Sequence, residues 1–319
     1  MNHNAAQFMN AVPVETALRE DLAHADALLG TVAPILRHLL NNDDHSLFSD
    51  EIVARVRGMM DDLARQLLDA LAVASGLEGD GRHPAEQRQA ITAAFVTHSQ
   101  FLSHVHALAL EWQLTERLEA RLSLDPVLSP LLQALIASPD TAMAGGAMSV
   151  LAAQARFAQA QRRMQLSLAE LPGDLFHVAI HTLHAVSGGR DDLAAAAEAS
   201  LRADYDEARG RLGLMARIIT GMGAGATAAL SISHAGVALF LSALSIASGQ
   251  DRDLAVLATN EGQLARLALA LRASGLKPAA VEEQFVSLHP EVALPDGFES
   301  LGSDRAAALL ASSAVVFGG

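Results

Sequence analysis

The sequence predicts an all-α protein, an irregular, solenoid-like stack of about 10–12 helices with no sheet. Three observations predict it. Apolar residues make up 51% of the 319 residues and are mostly alanine and leucine, whereas aromatics are 4%. Alanine and leucine are strong helix formers, and the β-branched and aromatic strand formers are sparse. Apolar side chains recur at helical spacing along most of the chain, and period-2 alternation is absent. Short Pro, Gly and Asp turns separate the helical stretches, at intervals too uneven for a strict repeat.

Taken in order, Val14–Asn41 carries Leu18, Leu22, Leu28, Leu29, Val32, Ile35, Leu36 and Leu39 on one broad stripe, with Pro34 expected to kink or divide it. A polar connection, 41–48, leads to Ser49 and Asp50, good N-caps for a helix from Glu51 to Ser75. Pro84 starts a long helix that reaches Leu122 and is expected to divide near Gln113. Asp125–Pro126 begins a short helix to Ala137, and Ser138–Pro139–Asp140 begins another to Met164. After the turn Leu171–Pro172–Gly173, helices are expected at 174–186 and, without interruption, at 191–216. Beyond residue 250 the expected helices are 251–258, 261–274, 278–288 and 303–316.

Between residues 218 and 250 no residue carries a formal charge, and His234 is the one titratable group. Charge returns on either side, at Arg217 and at Asp251. So apolar a segment must be buried, and it is expected to form the central helix of a main domain, 83–319, preceded by an N-terminal helical region, 1–82. Residues 228–247 are also long enough to cross a lipid core. Four serines, His234, Gly236 and the absence of a second span favour burial inside protein instead.

The runs EWQLTERLEARLSLDPVLSPLLQALIASPD, QARFAQAQRRMQLSLAELPGDLF and LATNEGQLARLALALRASGL resemble an alphaproteobacterial family, domain of unknown function 2336. The resemblance implies stacked helices of HEAT-like character in a bacterial protein. It brings no activity and no catalytic residues.

Composition removes several function classes. A net charge of −14, from 22 basic and 36 acidic residues, opposes binding to nucleic acid. The absence of cysteine removes disulfides, thiol catalysis and thiolate metal sites. The first twenty residues have neither a basic nor an apolar stretch of the secretory kind, so the cytoplasm is the expected compartment.

Three constellations carry possible chemistry. Gly221, Gly223 and Ala226 fit the relaxed dinucleotide fingerprint G-x-G-x-x-A, and Gly225 lies within it, but the fingerprint requires a strand before it. His177, His181 and His184 share one helical face, where two imidazoles a turn apart can hold a metal ion. His98 and His104 are candidates for phosphotransfer, which needs one exposed imidazole with an orienting neighbour. His106 lies on another face from His104. Glycines also serve close packing, and histidines a polar flank, so no cofactor is expected. The resulting expectation is a non-enzymatic interaction or scaffold protein, its partner another protein or a second copy of the chain. A metal-binding or histidine-phosphotransfer protein is the alternative, and a membrane anchor through 228–247 the second.

Overall fold

Leucines and methionines spaced by threes and fours give Glu51–Ala74 a face that is buried along its whole length, from Ile52 through Met59, Leu63 and Leu67 to Leu71. The computed structural model describes residues 14–41, 51–77 and 83–313, and among them the secondary structure is entirely helical. The α-helices are α1 Val14–Asn41, α2 Glu51–Ala74, α3 Ala85–Thr97, α4 Ser99–Leu122, α5 Pro130–Ile136, α6 Thr141–Arg162 and α7 Gly173–Val186. They continue with α8 Asp191–Asp204, α9 Arg211–Gly221, α10 Ile232–Ser248, α11 Arg252–Leu257, α12 Leu264–Ala273, α13 Pro278–Leu288 and α14 Ser303–Ala311. Short 3₁₀ segments connect several of them. The expected caps at Ser49 and Asp50 and the break at 78–82 lie outside the described residues, as do 314–316 of the last expected helix.

The chain divides into two units, one holding residues 32–243 and the other 1–31 with 244–316. The larger unit is built on α2, which packs against α3, α4, α7 and α8. Its core runs from Leu36 through Ile91, Trp112 and Phe176 to Ala197, and Phe95 stacks on Phe101 at 4.3 Å between ring centroids. Residues 51–77 therefore share a core with the helices that follow. The smaller unit pairs the first half of α1 with the C-terminal helices. Leu18, Leu22 and Ala25 are buried there, as are Leu267, Leu271, Phe285 and Leu309. The Gln263 amide donates to the Ala25 carbonyl at 2.7 Å, and the buried Arg266 guanidinium pairs with Asp26.

Several expected elements differ. The helix after Pro84 divides at His98, not near Gln113, because the His98 imidazole accepts the Phe101 N–H and caps α4. Pro34 sits inside an unbroken α1. Asp125 does not start a helix; its carboxylate holds a turn through the amides of Val127 and Leu128, and α5 starts at Pro130 behind Ser129. The uncharged segment 218–250 is not one helix. It ends α9, passes through a 3₁₀ stretch at 223–230 and enters α10, itself broken at Gly236. With φ at 71°, Gly236 adopts a left-handed conformation, and a Cβ there would stand 3.0 Å from that of Ser129. Gly223, Ala224 and Gly225 are exposed, but the larger apolar residues of the segment are buried as expected, among them Ile219, Leu230, Ile232, Phe240 and Leu241. Among the described residues no single helix is long and apolar enough to cross a membrane. Only the pair α9 and 223–230, bent by 120°, has that length and composition in sum.

Candidate functional site

The interruption of the expected helix 191–216 at 205–210 makes one wall of a concavity. After α8 the chain turns extended at Tyr205, whose ring stacks on Phe176 at 3.9 Å and whose hydroxyl donates to the Leu171 carbonyl at 2.8 Å. A 3₁₀ turn, Glu207–Arg209, follows, capped by the Asp206 carboxylate on the Ala208 amide. Gly213 lets α9 begin against this turn: a Cβ there would meet the Glu207 carbonyl oxygen at 2.5 Å.

The opposite wall is set from α2. Gln66 donates to the Leu166 carbonyl at 2.7 Å and accepts from the Leu168 amide at 3.0 Å. Asp62 accepts from the Leu166 amide at 3.3 Å and from Gln66 and Arg65. These bonds fix the backbone between α6 and α7, a stretch with no long helix of its own.

Between the walls lies a pocket of about 340 Å³ lined by Arg156, Phe157, Glu170, Asp204, Asp206 and Arg209, among others. Beneath it a buried network holds the helices. Arg211 forms a two-pronged ion pair with Glu111 at 2.7 and 3.1 Å, both side chains 1% exposed, and reaches Gln154 at 3.2 Å. Its guanidinium lies 3.6 Å from the centre of the Phe157 ring.

The Arg211 backbone N–H donates to the Glu170 carboxylate at 3.1 Å, the one hydrogen bond that side chain makes among the described residues. Burial raises the Glu170 pKa above the ordinary carboxylate value; Arg211, its amide and Arg156 oppose the rise, and Glu111 adds to it. Glu111 already pairs with the Arg211 side chain, and Arg156 acts on Glu170 only through its charge, without an ion pair among the described residues. The neighbourhood is acidic: burial, then Glu207, Asp174 and Asp206, push the Tyr205 phenol up to about 12.

The sequence-derived candidates lie elsewhere. His177 and His181 come together on the exposed face of α7, with Nε2 atoms 2.9 Å apart. His184 turns away to Glu198 on α8 at 2.7 Å, so the three imidazoles do not converge, and no group of three metal-ligating side chains occurs among the described residues. Arg202 binds Glu198 at 2.6 Å and approaches His177 Nδ1 at 3.4 Å. Hydrogen bonds from Arg202 and then His184 hold the Glu198 carboxyl below its ordinary pKa.

His104 is buried and His98 is half-buried in its capping role, so neither offers the exposed imidazole that phosphotransfer needs. Gly221 ends helix α9, and Gly223 and Gly225 lie in the 3₁₀ stretch after it, where the dinucleotide fingerprint requires a preceding strand.

Sequence reasoning missed Glu170, Arg156, Phe157 and Arg209. A carboxylate between Leu168 and Leu171, just before a Pro–Gly turn, was the available signal. Compared with protein-family models, curated proteins and solved structures, the chain finds no match.

Proposed function

We propose that this chain is a non-enzymatic helical interaction protein, a bacterial cytoplasmic scaffold. Its pocket between α6 and the 204–210 turn receives a basic side chain from a protein partner. One observation carries this reading: Glu170 is a carboxyl lining this pocket, held against burial with no ion pair among the described residues. A group that costs stability in the free protein is retained where function uses it. A guanidinium or ammonium entering the pocket would supply the missing charge, with the acidic turn at Asp204–Glu207 beside it. The resemblance to domain of unknown function 2336 fits a stacked-helix scaffold and adds no chemistry.

The experiment is site-specific photo-crosslinking in the native cell. A photoreactive residue at Ala160, in the pocket wall, is expected to give one discrete protein adduct, lost when Glu170→Lys is added. The same residue at the exposed Ala90 of α3 is expected not to give it. An adduct with a second copy of the chain would make the partner the protein itself. No protein adduct at Ala160, or the same adducts from Ala90, would end this reading.

A further inference from the structure

The pair His177–His181 has a geometry of its own. One turn apart on α7, both imidazoles are exposed, their ring planes are nearly perpendicular at 85°, and their Nε2 atoms stand 2.9 Å apart. In the free protein that separation is a hydrogen bond, and it brings both nitrogens within reach of one ion. Two imidazole nitrogens each about 2.0–2.1 Å from an ion stand about 2.9 Å apart at a right angle, but about 3.4 Å apart at the tetrahedral angle. Right-angled neighbours belong to square-planar and tetragonal ions, and nitrogen ligands at such angles suit copper(II) and nickel(II) better than zinc.

We infer that His177 and His181 form a two-point chelate for a divalent transition metal that takes ligands at right angles, copper(II) first and nickel(II) next. Water completes the coordination.

Arg202 governs access to it. A guanidinium only donates, so its contact at 3.4 Å makes His177 Nδ1 an acceptor. Neutral His177 then carries its proton on Nε2 and donates to His181 Nε2, whose own proton is on Nδ1. To bind metal, His177 must move its proton from Nε2 to Nδ1, and Arg202 must give up that contact. Arg202 keeps its bond to Glu198, which stays occupied by His184 as well. Arg202 therefore opposes the chelate both by its bond and by its charge.

The test is a copper(II) titration followed by electron paramagnetic resonance, with His3→Ala in every protein so that the amino-terminal residues do not compete. The parent is expected to show a site with two nitrogen ligands. His181→Ala and His177→Ala are each expected to weaken it by roughly tenfold or more, with an unchanged helical spectrum, because a chelate loses one of its two ligands. His184→Ala is expected to leave it unchanged, Arg202→Ala to tighten it, and zinc(II) to bind more weakly than copper(II). Copper affinity unchanged in His181→Ala, or zinc bound as tightly as copper, would overturn the assignment. So would a loss in His184→Ala equal to that in His181→Ala.

Discussion

Glu111 and Arg211 lie in the least forgiving place for a charge. Both are almost fully buried, and removing Glu111 takes the counter-ion from Arg211 in a medium that solvates charge poorly. Glu111→Ala is expected to cost about 3–5 kcal/mol in urea unfolding. The double substitution Glu111→Leu with Arg211→Met should recover most of that loss, since well-packed apolar replacements of a buried pair are often neutral. A double variant as unstable as the single one would refute this. Glu170 should behave in the opposite way. Its raised pKa means that the folded protein holds the proton more tightly than the unfolded chain does. Its contribution is therefore favourable at low pH and is lost as pH rises from the ordinary carboxylate range through the raised value. Glu170→Gln keeps an acceptor for the Arg211 amide and is expected to raise the melting temperature at neutral pH. Below the carboxylate range the gain should vanish; a gain unchanged at acid pH would mean that another effect causes it.

At the scale of elements, the helical class and the buried face of α2 were legible in the sequence, because each depends on residues a few positions apart. Several breaks were legible too, at 171–173, 187–189 and 275, but those at His98 and 205–210 were not. The pocket wall at 166–168 is held by Asp62 and Gln66, about a hundred positions earlier, and the turn at 205–210 by Tyr205 reaching back to Leu171. The alanine-rich sequence before the 205–210 turn reads as continuous helix, since propensity carries no record of such distant partners. The exposed histidine pair was legible from its spacing, whereas the pocket was hidden because its parts come together only in three dimensions. Two glycine substitutions separate local from tertiary demands. Gly30 in α1 has open space around its Cα, and Gly30→Ala is expected to stabilise the protein by up to about 1 kcal/mol through helix propensity. At Gly213 the same change drives a methyl group against the Glu207 carbonyl, at an expected cost of about 1–3 kcal/mol. Equal and favourable effects at both positions in thermal unfolding would contradict the close approach of α9 to the turn.

For the whole molecule, the division into two units makes a clear prediction. Residues 32–243, expressed alone, should give a helical spectrum and a single cooperative unfolding transition, because the core around α2 draws on no residue outside that range. A fragment that unfolds without cooperativity would show that the larger unit needs the rest of the chain. The smaller unit has a consequence for biosynthesis. Its first helix leaves the ribosome early, yet the partners of Ala25 and Asp26 are Gln263 and Arg266, and Glu15 meets Arg305. Leu18 and Leu22 must then wait, uncovered, while more than half of the chain is translated. A nascent chain in that state is a natural client for a ribosome-bound chaperone, and a premature stop before α12 would release it with that surface permanently bare.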